Sequence, residues 1–236
     1  MDKAKNVLIC GASSGIGLET AKVFLSNGYT VYSTSRRKPP IDSDKLIHYT
    51  SDFYNNDSIA GSCRQILEDS RGEISIVINC VGDILHEETI KDFTGTQLLN
   101  TFQINFFSSF VLSQHLFDII ANNKGCFAFV SSVAKDKVYP LISDYCAAKA
   151  SLSNFIKSLA IELAPHGARA VAVSPAVVAT PLFEKSNFTK EQAESFHKLN
   201  RIGNPEEIAD LLYYLTSSKG KWITGTDYLI DGGMLL

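Results

Sequence analysis

Tyr145 and Lys149 are four residues apart, a spacing that puts two side chains on one face of a helix. Ser132 precedes Tyr145 by thirteen residues and follows the apolar run 127–130. A strand end and the start of the next helix can gather a hydroxyl, a phenol and an ammonium around one point. A phenol titrates near 10 and is a poor acid or base at neutral pH. A neighbouring ammonium favours the phenolate and brings that value down toward the working range, and a serine hydroxyl beside them can hold a carbonyl oxygen. Together these groups can move a proton on or off an oxygen while a hydride moves on or off its carbon. Tyr and Lys four apart occur on many amphipathic helices, so the elements that position them have to supply a cofactor site.

The start of the chain supplies one. Residues 6–10 form a short apolar strand, followed by Gly11-Ala-Ser-Ser-Gly-Ile-Gly17 and a helical pattern that stops at Gly28. Strand, glycine loop and helix are the context of a dinucleotide fingerprint. Gly11 allows the tight turn, Gly15 lets backbone approach a pyrophosphate, and Gly17 lets the helix pack closely on the sheet; the free N–H groups of the helix N-terminus then face the phosphates. Gly11, Ser13, Ser14, Gly15, Ile16 and Gly17 are the expected cofactor cradle. The second strand, 30–34, ends in Ser35-Arg36-Arg37. An acidic residue there would hold the adenosine 2′-hydroxyl of NAD, whereas arginine accommodates the 2′-phosphate of NADP. Either the two arginines mark NADP(H) over NAD(H), or they are a solvated turn.

The pattern continues with strands at 46–49, 74–79, 127–130, 167–174 and 227–230. Helices fit 56–70, 96–122, the stretch from Tyr145 to about 163, and 205–217, where Pro205 suits a first turn. About seven strands alternating with helices predict an α/β, doubly wound parallel β-sheet. One domain over 1–236 is expected, with a substrate lid around 181–200 carrying one short helix. Ile84, Leu85, Val138 and Tyr139, with Leu182, Phe183, Phe188 and Phe196, are the expected apolar wall of a substrate pocket, or else core. His115 is assigned nothing.

The bulk numbers narrow the setting. The 236 residues are 45% hydrophobic and 20% charged with net charge −3, ordinary for a globular protein and without the basic tract that nucleic acid or an anionic membrane would need. No apolar run reaches the length of a membrane span, and residues 1–6 lack the core of a signal peptide. Five scattered cysteines without a C-x-x-C pair fit buried thiols in a reducing compartment, with neither disulfides nor zinc. A cytoplasmic location is the expectation.

The glycine loop, Asn79-Cys-Val-Gly82, Asn105, Ser132, Tyr145, Lys149, the segment 175–180 and the closing Asp231-Gly-Gly resemble, in order and spacing, the short-chain dehydrogenase/reductase family over almost the whole chain. The match is to the simple single-domain type, with a flavour of 3-oxoacyl-carrier-protein reductases in 201–209. The resemblance implies a Rossmann fold and an NADP-dependent interconversion of a ketone or 3-oxoacyl group with a secondary alcohol. It implies Tyr145 as general acid or base, Lys149 lowering its pKa and holding the ribose, Ser132 on the substrate oxygen, and Asn105 steadying a relay water. It assigns the cofactor to the glycine loop, Arg36, Arg37, Asp52, Phe53, Asn79, Gly82, Tyr145, Lys149, Val178 and Thr180. Cys10, Cys80, Val81 and Ala176 depart from the usual Thr, Asn, Ala and Gly. A small carbonyl or alcohol, or an acyl thioester, is the implied substrate. A homodimer or homotetramer is implied through the helices bearing Asn105 and Tyr145. The alternative is a non-catalytic NAD(P)-binding regulator on the same fold, which would have no need of the Ser–Tyr–Lys geometry.

Overall fold

The computed structural model describes residues 5–236; residues 1–4, most of the charged start of the chain, lie outside it. Seven strands form one parallel sheet in the order β3-β2-β1-β4-β5-β6-β7. They are β1 (Asn6–Cys10), β2 (Thr30–Ser35), β3 (Leu46–Thr50), β4 (Ile76–Asn79), β5 (Cys126–Val130), β6 (Arg169–Pro175) and β7 (Asp227–Ile230). A parallel sheet is covered on both faces, so its central strands are apolar throughout, and every residue of β1 and β5 is buried. Strand order reverses between β1 and β4, and a crevice opens at the carboxyl ends of strands flanking such a point.

One face carries α1 (Gly15–Ser26) and α8 (Pro205–Thr216), joined by an edge-on contact of Phe24 with Tyr213 (5.1 Å). The other face carries α2 (Asn56–Asp69), α4 (Ser108–Asn122) and α5 (Ser143–Leu163) over Phe127, Phe129, Leu112 and Ile156, all sealed from solvent. Truncating Phe127 or Phe129 to alanine belongs in the ~3–5 kcal/mol class of buried aromatic losses.

Beyond shifts of one or two residues at strand ends, four departures from the expected elements bear on the fold. β4 begins at Ile76, because the amide of Asn123 takes the carbonyls of Gly72 and Ile74 (both 2.8 Å) and holds that segment off the ladder. The long helix begins at Gly95 as α3 (Gly95–Phe102) and widens into a π-turn at Gln103–Phe107 before α4. This stretch, Gly95–Asn122, is long and apolar enough to cross a membrane, contrary to expectation, but half of its apolar window is buried inside the fold. Segment 181–200 holds two short helices, α6 (Pro181–Glu184) and α7 (Lys190–Ser195), the second started by a reciprocal Thr189–Gln192 cap.

Candidate active site

A cavity of about 660 Å³ opens at the carboxyl edge of the sheet. At one end lies the glycine loop. Gly11 donates its N–H to Thr34 O (2.8 Å) and Cys80 N to Cys10 O (3.0 Å), which sets the loop and the β4 exit on the two sides of the crevice. The backbone requires glycine here. Gly11 and Gly15 have φ of +80° and +55°, and a Cβ on Gly17 would lie 2.3 Å from Gly11 O. No side chain caps α1 and no acid sits in its first turn, so its free N–H groups and positive dipole end face the cavity, as a pyrophosphate requires. Ser13, Ser14 and Ile16 line it too, and Arg36 and Arg37, exposed at the end of β2, line its rim. These residues fit a nicotinamide dinucleotide.

At the other end, Ser132, Tyr145 and Lys149 come together on the cavity wall. Ser132 leaves β5 in an extended conformation and accepts Ala134 N–H (3.1 Å), which leaves its O–H to donate to the Tyr145 phenol or to a substrate oxygen. Asp144 accepts Tyr145 N–H (2.8 Å) and the hydroxyl of Thr101 (2.6 Å), tying the start of α5 to α3 and setting the height of Tyr145. One helical turn on, Lys149 reaches under the phenol: its Nζ donates to Val130 O (3.0 Å) and lies 5.6 Å from the Tyr145 ring centre. Asn105 sits in the π-turn, 0% exposed. Its Oδ1 accepts Asp83 N–H (3.2 Å) and its Nδ2 donates to Asp83 O (2.8 Å) and Thr101 O (3.0 Å). Gly82 lies between Asn105 and Lys149; a Cβ on it would stand 2.8 Å from Asn105 Oδ1 and 2.9 Å from Lys149 Nζ.

The family model for enoyl-(acyl carrier protein) reductase matches residues 11–235. The chain belongs to the short-chain dehydrogenase/reductase family. Among relatives, it is 30% identical to a tropinone reductase homolog of Arabidopsis thaliana (98% of this chain, 91% of the relative). It is 29% identical to the 3-oxoacyl-acyl-carrier-protein reductase FabG of Thermotoga maritima (99% of each). The fold matches a solved 3-ketoacyl-acyl-carrier-protein reductase of Brucella melitensis complexed with NADH, with a TM-score of 0.92 at 23% identity over 99% of each chain.

In this short-chain dehydrogenase/reductase, burial corrects one electrostatic expectation. The Tyr145 phenol is pushed up, to about 12, chiefly by desolvation; the hydrogen bond with Ser132 pulls it down, and Cys146, Asp83 and Tyr139 push it further up. Lys149 is itself pulled down to about 8 by burial, against the attraction of Asp227 and Cys80. The loss of water around each group outweighs the neighbours that oppose it, Ser132 for the phenol and Asp227 with Cys80 for the ammonium.

Most expected site residues line the cavity: Asp52, Phe53, Gly82, Val178 and Thr180 join the glycine loop, the arginines and the Ser–Tyr–Lys trio. Two do not. Asn79 is buried behind the wall, where Oδ1 accepts Val81 N–H (3.0 Å) and Nδ2 donates to Ser109 (2.9 Å), so it braces the β4 exit. Asn105 stands behind Gly82 in the same way. Of the expected substrate wall, Ile84, Tyr139, Leu182, Phe183, Phe188 and Phe196 line the cavity. Leu85 packs on the core instead, and Val138 is 80% exposed. The residues missed include Tyr54, Asp83, Lys137, Lys185 and Met234. Asp83 carried a signal, as a charge directly after the apolar β4 exit. Met234 carried none; it meets the Tyr139 hydroxyl (3.6 Å) from 95 positions away.

Proposed function

We propose that this protein is an NADP-dependent oxidoreductase that interconverts a ketone, or a 3-oxoacyl group, with a secondary alcohol. What carries this reading is the meeting of Ser132, Tyr145 and Lys149 with the glycine cradle on one cavity. When bound, the nicotinamide supplies the hydride to the carbonyl carbon. Ser132 donates to the substrate oxygen as charge develops there, and Tyr145 gives that oxygen its proton. In oxidation the proton returns to Tyr145. Lys149 holds the ribose hydroxyls and stabilises charge on the phenol oxygen. Asn105 sets the Gly82–Asp83 backbone beside Lys149 and keeps one lone pair of Oδ1 for a relay water. Asp52 and Phe53 take the adenine end, Val178 and Thr180 the carboxamide, and Arg36, with Arg37, the 2′-phosphate. The chain acts as one dinucleotide-binding unit, with 181–200 as its lid.

Titration with NADPH and NADH tests the cofactor side. Arg36→Asp should weaken NADPH binding by roughly 10- to 100-fold, the worth of a charge-assisted hydrogen bond, and leave NADH binding little changed. Tighter NADH binding by the wild type would overturn the NADP assignment, and failure of both cofactors would favour a protein that has lost the activity.

The pH profile tests the proton side. Lys149 is cationic only below about 8, and Tyr145, pushed to about 12, keeps its proton throughout the neutral range. Reduction needs both protonated forms. Its kcat/KM for NADPH, which reports free-enzyme groups, should be level below about pH 7 and fall above about pH 8. Lys149→Met should be slow and lack that fall.

Pairing of two copies through α4 and α5 is supported by the exposed ring of Phe110, 48% accessible, against Phe155 (5.1 Å). All five cysteines are free and four are buried, which suits the cytoplasm.

A further inference from the structure

The proton chemistry proposed above leaves Asp83 unused. Its backbone is clamped on both sides by Asn105 (3.2 and 2.8 Å), and its neighbour Gly82 touches the space of Lys149 Nζ. Asp83 is therefore a firmly placed carboxylate, next in the chain to Gly82, on the wall of the same cavity. It is also poorly satisfied. A carboxylate offers about four acceptor positions. Oδ1 is shut off from water and has no hydrogen-bond partner among the described residues. Oδ2 has Lys185 at 3.4 Å, longer than the ~2.7–2.9 Å of a good charge-assisted bond. The Lys185 side chain is 68% exposed and that of Asp83 28%, so this pair contributes little. Rotation about the last torsion of an aspartate is soft, and either oxygen can turn to the cavity. The cavity wall carries the apolar Ile84, Leu182, Phe183 and Phe188, and none of its donors is hydrogen-bonded to Oδ1. A carboxylate in such a place favours a ligand that brings one.

The neighbouring charges decide the kind of donor. An ammonium on the substrate would meet Lys149 and Lys185. An anionic group would meet Asp83 itself. The carbonyls of a 3-oxoacyl thioester present only acceptors to an acceptor. A neutral hydroxyl conflicts with none of these.

We propose that Asp83 is a specificity-determining residue that accepts a hydrogen bond from a substrate hydroxyl next to the reacting carbon, so that the substrates are hydroxy ketones and the corresponding vicinal diols. This narrows the substrate class of the oxidoreductase reading above and rests on it. The charge of Asp83 also helps to keep Tyr145 protonated, which suits donation to a ketone oxygen.

The test is NADPH-dependent reduction of 1-hydroxy-2-butanone, 2-butanone and the acetoacetyl thioester of N-acetylcysteamine by the wild type, Asp83→Val and Asp83→Asn. A buried polar group left unpaired by an analogue lacking its partner gives strong discrimination. The wild type should favour the hydroxy ketone over 2-butanone by about 100-fold or more in kcat/KM, chiefly through KM. Asp83→Val should lose at least tenfold more on the hydroxy ketone than on 2-butanone, and Asp83→Asn, which keeps an acceptor oxygen, should lose less. Equal use of the two ketones by the wild type, or preference for the thioester, would overturn the assignment while leaving the oxidoreductase reading intact. No turnover of any of the three with NADPH or NADH would sink both. If the variants do not fold, the wild-type ranking alone decides.

Discussion

Tyr145→Phe should lower kcat/KM for carbonyl reduction by about 10²–10⁴-fold, the range for loss of a positioned general acid, while the protein stays folded and still binds NADPH. The phenol is the largest single contribution because no other group can replace it. Ser132 has a single O–H, which turns from the phenol to hold the substrate oxygen, and Lys149 donates to Val130 O from below. The ring, 8% exposed, packs with Ala134 and Cys146, and phenylalanine keeps that packing. Loss of the hydroxyl should cost stability by no more than the ~0.5–1.5 kcal/mol of one hydrogen bond. Stopped-flow or steady-state reduction, beside NADPH titration and thermal melting, checks all three quantities. A variant with more than a tenth of wild-type turnover would remove Tyr145 from the chemistry. The direction of the pKa shift adds a signature: with the phenol held near 12, the deprotonated form needed for oxidation is scarce at neutral pH, so the oxidation rate should climb with pH where reduction falls.

Gly17→Ala carries the second large effect, and acts on the fold as well as on the cofactor. The added methyl would lie 2.3 Å from Gly11 O and 2.7 Å from Gly11 C, and backbone cannot move aside as a side chain can. Relief requires α1 to lift from the turn that precedes it. Overpacking of this kind costs roughly 1–3 kcal/mol or more, which for a chain of this size lowers Tm by about 2–4 °C per kcal/mol. The lifted helix also withdraws its N–H groups from the phosphate end, so NADPH affinity should drop at least tenfold. Gly28→Ala is the control. Gly28 has φ +82° but nothing within 4 Å of a new Cβ, so it should pay only the left-handed backbone cost of about 1–2 kcal/mol and bind NADPH as the wild type does. Equal behaviour of the two variants would show that the turn tolerates the methyl and that the cradle is looser than its geometry.

Leu141 holds a left-handed backbone, φ +69°, between the Ser132 turn and the Tyr145 helix, and its carbonyl accepts Glu88 N–H (2.8 Å). A bulky residue rarely adopts that conformation. No periodicity in the sequence marks it, because the strain is imposed by two segments far apart in the chain. The same distinction runs through the whole molecule.

What the sequence determined by itself was whatever local patterning can encode. Seven apolar runs separated by helical periods predict a parallel sheet, since both faces of each strand must be covered. Glycines 11, 15 and 17 mark the turn between β1 and α1, since few other residues can follow that path. The four-residue spacing of Tyr145 and Lys149 predicts a shared helix face, whatever the rest of the fold does. The tertiary structure decided what depends on neighbours remote in the chain. It placed Asn79 and Asn105 behind the wall, where their amides hold backbone, because burial and hydrogen-bond partners come from other elements. It set Tyr145 up and Lys149 down, because desolvation depends on how tightly the surrounding elements close over a group. And it left the Asp83 carboxylate on the cavity wall with, among the described residues, one long contact to Lys185, 102 positions away, a juxtaposition that comes from the folding of the 181–200 segment toward the β4 exit.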